Sequence, residues 1–532
     1  MDYFPGHKKI KMKTKQKYIV AGLLLAILIA AFTLRVTNIK NIPAGIYPDE
    51  AQNGVDAQLA NSSGQYKLFY ESNYGREGLF INLQALSIKT FGPTEFALKL
   101  WSIIFGTLTV LGVFLLASEI FKNQIAGLIG AYLMAFSYWA INFSRIGFRA
   151  IMVPFLLSFA FYFIFKGLRT KKLHDFIIAG LIYGLGVHTY IAFRVSPLVL
   201  VALFISLIIT RKNFLANYWK HTVVFTFALL ITSAPMLLDF FVYNPQHYAS
   251  RTGEISILSP EVNQGHLISG LAKTIGLSIQ KYFVMGDLNM RHNYPPYALL
   301  NPAVGIAFLI GLIYIVNKSL QLLWVRFTKG VRDEKLEVYI FLLAWFIALL
   351  IPEFLASEGN PHALRSIGTL PAVILISIIP FLWLFKKYNS FGHSFKLFVI
   401  SALATVLIFI AVADSVKYFY FFANSPKQHQ VFDANLKVVS EYIRTLPPSQ
   451  EKYIITGPMQ RLTIKYLNPA MSNIFYIYPD EIKSITPSSP KTSIYIFTGA
   501  DWDAINSLRL QYSDMQFEEH RNKFGDTFYI LK

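Results

Sequence analysis

The sequence contains no cysteine. That absence excludes a disulfide framework, thiolate zinc sites, iron–sulfur ligation and a cysteine nucleophile. Charge is scarce as well: Asp, Glu, Lys and Arg make up 15% of the 532 residues, against 54% hydrophobic and 16% aromatic, whereas soluble domains are about a quarter charged. A soluble globule is excluded. No Gly-rich phosphate loop or dinucleotide fingerprint occurs, so a bound nucleotide would lack its usual cradle. No inverted or tandem repeat is found either, which counts against transporter architectures built from paired halves.

What the chain has instead is apolar runs of bilayer length. Tyr18–Val36 follows the basic segment KKIKMKTKQK and reads as a cytoplasmic start leading into an uncleaved first span. A cleaved signal peptide is the rival reading, but its apolar core is shorter and no small-x-small cleavage site follows. Further candidate spans lie near Leu100–Ser118, Ile125–Phe143, Ile151–Phe165, Phe176–Phe193, Val195–Ile209, Val223–Phe241, Pro302–Leu323, Val338–Leu355, Ser366–Phe385 and Leu397–Ala413. The total is about eleven. HTYIAFR interrupts the Phe176–Ile209 pair.

With the N-terminus inside, the loops KGLRTKKLHD, TRKNF, VRFTKGVRDEK and LFKKYNSFGHSFK all fall on the cytoplasmic side. The net charge of +19, from 49 Lys and Arg against 30 Asp and Glu, therefore reports orientation in a membrane and not a nucleic-acid partner. The expected organisation is a basic cytoplasmic N-terminus over 1–17, a transmembrane domain over 18–414 and an extracytoplasmic domain over 415–532. Two long outer loops, 38–96 and 243–300, interrupt the membrane domain. The tail should be a small α/β domain, with VVSEYIRTL as an amphipathic helix and YIIT, SIYIFTG and DTFYILK as strands.

The first outer loop carries the most chemistry. Pro48 followed by Asp49 and Glu50 predicts a helix start, with carboxylates in the first turn where the macrodipole favours their ionised form. If the helix continues, Asp49, Asn53 and Asp56 share a polar face, while Glu50 points about 100° away. The two carboxylates then need not serve one site, and a simple acidic first turn is the structural alternative. Arg76 and Glu77 sit between glycines ahead of a second surface helix with Leu79, Leu83 and Leu86 on one side.

Polar residues also gather at the outer ends of spans: Arg145 and Arg149 in NFSRIGFRA, His188 and Arg194 in GVHTYIAFR, and Glu358, His362 and Arg365 in SEGNPHALRS. Outer basic side chains run against the positive-inside trend. Snorkelling or helix capping can explain any one of them. Taken together they suit an anionic ligand, because the guanidinium fork binds phosphate through two parallel hydrogen bonds. The spacing of Arg145 and Arg149 puts both on one side of a helix if the span continues through them.

With these residues in view, the membrane region resembles the polytopic GT-C-type glycosyltransferases of the protein O-mannosyltransferase and aminoarabinose transferase superfamily, similar to glycosyltransferase family 39. The resemblance implies an α-helical polytopic membrane fold and sugar transfer from a polyprenyl-phosphate donor to an extracytoplasmic protein, lipid or glycan. Asp49 and Glu50 occupy the place of the family's acidic pair, whose Asp serves as base, and Glu77 occupies the place of a later acid. Some members bind a divalent metal near that acid. No matching His is assigned among His247, His266 and His292, so a metal at Glu77 stays open.

Arg76, Glu77, Arg145, Arg149, His188, Arg194, Glu358, His362 and Arg365 are the expected substrate-binding set. The sequence departs from the pattern where several relatives carry a second carboxylate after the third span, because here that loop reads SRIGFRA. One carboxylate suffices chemically. A glycosidase must protonate a sugar-oxygen leaving group, whereas a lipid phosphate leaves as an anion that arginines can stabilise. The competing reading is a polytopic lipid or solute transporter or flippase, but transporters place ionisable groups near the bilayer midplane and not in outer loops.

Overall fold

The computed structural model describes residues 14–249, 256–388, 392–484, 493–522 and 525–532. Most of the basic N-terminal segment, residues 1–13, and part of the basic loop at 389–391 lie outside the described residues. Among the described residues, nine helices are long and apolar enough to cross a membrane: Thr14–Val36, Glu95–Ile120, Arg149–Thr170, Ile191–Thr210, Phe214–Tyr243, Pro302–Lys329, Lys335–Phe354, Ile367–Lys387 and His393–Phe422.

A tenth candidate span is broken, Gln124–Phe136 and Tyr138–Ser144 meeting at 60°. The break has a local cause. Ser137 leaves helical geometry at ψ 124 and its hydroxyl caps the second helix at Ala140 N. The Tyr138 N–H that the break frees donates to Asp414 of another span at 2.9 Å. The remaining expected span is the shorter apolar helix Leu173–His188, and the HTYIAFR interruption appears as two 3-10 turns, Gly186–His188 and Ile191–Val195. Aromatic rings knit the bundle where Phe161 meets Phe341 and Trp345 at 4.7 and 4.9 Å.

The first large loop folds as two helices joined by a short antiparallel pair. Pro48–Ser63 starts at Pro48, where the Glu50 carboxylate accepts the Tyr47 N–H at 3.3 Å, and ends at Gly64 with φ 72. Phe69–Tyr70 pairs with Arg76–Glu77, and Leu79–Phe91 follows. Ile81, Ala85 and Ile88 of the second helix bury against Ala51 and Ala57 of the first. Leu86 of the expected apolar side is exposed.

The tail contains a five-stranded sheet in the order Ile474–Ile477, Lys452–Ile455, Ile494–Phe497, Thr527–Leu531, Phe517–Arg521. The first three strands are parallel and the last two antiparallel to their neighbours. Side chains alternate across it as a period of two requires. Ile454, Ile494 and Ile496 face Ala434–Thr445 and Arg461–Leu467, while Tyr453, Ile455, Tyr495 and Phe497 face Trp502–Gln511.

Arg461–Leu467 also packs on Pro48–Ser63. Its Tyr466 ring lies so close over Gly54 that a Cβ there would run into it. The Tyr466 hydroxyl donates to Thr94 O at 2.9 Å, Gln58 donates to Tyr466 O at 2.8 Å, and Lys437 pairs with Glu95 at 2.9 Å.

Candidate active site

The helix from Pro48 brings Asp49 to the wall of a cavity of about 700 Å³. The Asp49 carboxylate accepts Asn73 Nδ2 at 2.8 Å and Arg291 Nη1 at 3.1 Å, and its side chain remains 31% exposed. One and two turns on, Asn53 and Asp56 both receive Arg76, which also donates to Ser72 O at 3.2 Å. The shared polar face of Asp49, Asn53 and Asp56 is thus realised, with its first member in the cavity and its last buried behind Arg76.

Glu77 lies beside this face and accepts Arg149 Nε at 2.9 Å and Arg194 Nη2 at 3.3 Å. Arg149 sits over the Tyr190 ring, and Arg194 over Phe240 and Tyr248. Arg365 closes the far side, donating to the Glu358 carbonyl at 2.5 Å, and has no carboxylate partner among the described residues. His362 lines the cavity as well.

Among the described residues, five arginines line the cavity, Arg76, Arg149, Arg194, Arg291 and Arg365, together with Asp49 and Glu358. Asp56 and Glu77 pair with these arginines from behind. Among the described residues, five arginines stand against these four carboxylates.

Three expected residues lie elsewhere. Glu50 is fully buried and points away from the cavity, as the helical angle requires. It accepts the Gly147 N–H in addition to capping its own helix, and burial pushes its carboxyl above the usual range, with Lys99 opposing. It joins the first loop to SRIGFRA and does not line the cavity. Gly147 allows that approach, since a Cβ would meet Glu50 Oε1 at 3.3 Å and Leu98 O at 3.1 Å.

Arg145 does not share a helix face with Arg149. The helix ends at Ser144, and Arg149 opens a separate 3-10 turn. Arg145 instead donates to the carbonyls of Leu34, Thr37 and Ile42 at 2.7, 2.7 and 2.9 Å, closing the end of the first span. His188 pairs through Nε2 with the Thr232 carbonyl at 2.8 Å and does not line the cavity.

A metal at Glu77 does not fit. Each of its oxygens holds a guanidinium, and no group of metal-type donors forms around it among the described residues. The one such group described is Asp287, His292 and His362, whose ligand atoms lie within 4.8 Å of one another. Both nitrogens of His292 are engaged there, Nδ1 by Asp287 at 2.8 Å and Nε2 by Arg291 Nε at 3.0 Å. The set therefore does not present three free ligands. Burial holds both His292 and His362 well below the usual imidazole range.

Arg291 is the cavity arginine that the sequence did not single out. It lies in the second long loop, RHNYPP, where the same argument from outer basic residues would have found it.

Residues 79–237 match the family model described as dolichyl-phosphate-mannose-protein mannosyltransferase. Among solved structures, ArnT from Cupriavidus metallidurans, bound to undecaprenyl phosphate, is similar with a TM-score of 0.53 at 12% identity, over 98% of each chain. The Archaeoglobus fulgidus oligosaccharyltransferase tethered with an acceptor peptide is similar with a TM-score of 0.52 at 15% identity, over 95% of this chain and 69% of that one. AglB from the same archaeon, in complex with an inhibitory peptide and a dolichol-phosphate, gives 0.51 at 16% identity, over 97% and 74%. At these identities the likeness is one of fold. No curated protein matches. Fold and family match together give the chain a polytopic membrane fold similar to that of these transferases, with the family match confined to residues 79–237. The matched stretch begins two residues after Glu77 and takes in Arg149 and Arg194 of the cavity wall.

Proposed function

We propose that the chain transfers a sugar from a polyprenyl-phosphate donor to an acceptor on the extracytoplasmic side, with inversion and with Asp49 as general base. The observation that carries this reading is the placement of the partly exposed Asp49 carboxylate, held at a helix start, in one cavity with five arginines. The acceptor O–H gives its proton to Asp49 as its oxygen bonds to the sugar's anomeric carbon. The bond from that carbon to the phosphate oxygen breaks, and the polyprenyl phosphate leaves with the electron pair. A direct displacement of this kind inverts the anomeric centre. The leaving phosphate gains a negative charge and needs no proton, so cationic donors stabilise it.

Arg365 is the first candidate for the phosphate, because Arg76, Arg149, Arg194 and Arg291 each already hold a carboxylate. Undecaprenyl phosphate bound to ArnT and dolichol-phosphate bound to AglB support a lipid-linked donor for this fold. The cavity takes the sugar and phosphate, and the membrane lipids surround the polyprenyl chain.

Asp49→Asn keeps size and hydrogen-bonding shape but removes basicity. Transfer should fall by about two to four orders of magnitude, the usual worth of general-base catalysis, while donor binding survives. The assay is single-turnover transfer with a panel of polyprenyl-phosphate sugars, alongside donor titration. Near-wild-type transfer in Asp49→Asn sinks the assignment.

A further inference from the structure

We propose that Asp287 and His292 are positioning residues that fix Arg291 and, through it, the Asp49 carboxylate. The proposal rests on the reading of Asp49 as base. Arginine offers donors and no acceptor. The contact of Arg291 Nε with His292 Nε2 at 3.0 Å therefore requires that nitrogen to be bare. The imidazole is then neutral and carries its proton on Nδ1, which donates to Asp287 Oδ2 at 2.8 Å. Asp287 is anchored in turn, accepting the Ala363 N–H at 2.7 Å and the Asn289 N–H at 2.8 Å. Both His292 and Asp287 are buried, so the pair is a fixed base from which the Arg291 fork projects.

A guanidinium is planar, and once its Nε direction is set its Nη directions follow. The second constraint is the Tyr47 ring, 4.1 Å under the Arg291 carbon. Tyr47 immediately precedes the helix that carries Asp49. Nη1 of the fork reaches Asp49 Oδ2 at 3.1 Å, and Asn73 takes Oδ1 at 2.8 Å. An ionised carboxylate has about four acceptor directions. With two occupied at set angles, the others are aimed, and an acceptor hydroxyl meets the base in one geometry.

Asn and Gln substitutions separate the two bonds of His292. Gln can place its amide oxygen near the position of Nε2 and accept Arg291, but gives up Asp287. Asn keeps the donor toward Asp287 and gives up Arg291. The purified full chain is measured for single-turnover transfer and donor affinity. His292→Asn should lower transfer on the order of ten- to a hundredfold, the worth of one hydrogen bond to a charged group, with His292→Gln clearly faster and donor affinity unchanged in both.

In an Asp49→Asn background neither change should alter the residual rate. Arg291→Lys keeps the charge but not the fork. It should match His292→Asn, and combining the two should cost nothing more. This pair of results stands even if a His292 variant folds poorly. Equal or faster transfer in His292→Asn than in His292→Gln, or a further loss on the Asp49→Asn background, would overturn the positioning role. Near-wild-type transfer in Asp49→Asn alone would instead overturn the base reading beneath it.

Discussion

Removing the Glu77 carboxylate separates a clamp from a metal ligand. Glu77 is 3% exposed at its side chain and holds Arg149 and Arg194 at 2.9 and 3.3 Å. Two charge pairs at about 4 Å between centres, at an effective dielectric of about 20, are each worth roughly 4 kcal/mol before desolvation. Taking away one partner of a buried pair costs about 3–5 kcal/mol, because the stranded charge stays buried. Glu77→Ala strands two guanidinium groups and should fall at the upper end. Glu77→Gln keeps the volume and one acceptor oxygen and should cost less.

The cavity would gain one positive charge, so donor binding should hold or tighten while transfer slows as the arginines splay. For a polytopic protein the sound stability measure is the rate of irreversible thermal inactivation in detergent. It should be fastest for Ala, intermediate for Gln, and indifferent to chelator in both. Unchanged inactivation in Glu77→Ala, or donor binding lost and then restored by a divalent cation, would refute the clamp and return Glu77 to a metal.

Two further outcomes follow from orientation and from the tail. Ser63 is exposed at the end of the Asp49 helix; in this cysteine-free chain, Ser63→Cys should react with a membrane-impermeant thiol reagent in intact cells. Labelling only after lysis would put Asp49 on the cytoplasmic side. Burial, with Asp526 nearby, pushes the Asp433 carboxyl from 3.8 up to about 6. The folded state then binds this proton more tightly than the unfolded chain, so stability is lost as pH rises from about 4 through 6, by at most about 3 kcal/mol at pH 7. Asn tolerates the left-handed backbone of this position, φ 49. Asp433→Asn should therefore slow inactivation at pH 7 and matter little at pH 4, and an equal gain at both would show that ionisation is not the cause.

Spans and three of the five tail strands were legible because each depends on a local pattern, apolar runs for the first and alternation for the second; Ile474–Ile477 and Phe517–Arg521 were not singled out. The Asp49, Asn53 and Asp56 face was legible for the same reason, since helical periodicity alone creates it. What failed depended on partners far along the chain. The helix ends at Ser144, and just beyond it the Gly147 N–H donates to the Glu50 carboxylate, 97 residues earlier in the chain. Arg145 is then drawn to the carbonyl end of the first span, a demand that the SRIGFRA segment does not display. Arg291 meets Asp49 across 242 residues, and its partner His292 reads from the sequence only as a candidate metal ligand. Charge type is readable from sequence, but pairing is not: Arg76, Arg149 and Arg194 read as ligands for an anion, and each holds a carboxylate.

Pairing also explains how so basic a cavity can sit in a stable fold. Five unpaired guanidinium groups around one space would repel each other and lose hydration without recompense. Here Asp56 and Glu77 hold three of them from behind, and Asp49 holds a fourth from the front. The framework carboxylates hold the cations in place and offset most of their charge.

The same logic of holding from behind extends to the Asp49 helix. The Glu50 contact with Gly147 secures one side, Ala85 and Ile88 of Leu79–Phe91 a second, and Tyr466 of the tail a third through Gly54. An Ala at position 54 would push that ring off the helix. A 16-residue helix with few apolar side chains would be marginal alone in water. Packed on three sides it becomes a rigid mount, and placement to within a fraction of an ångström is what a general base requires.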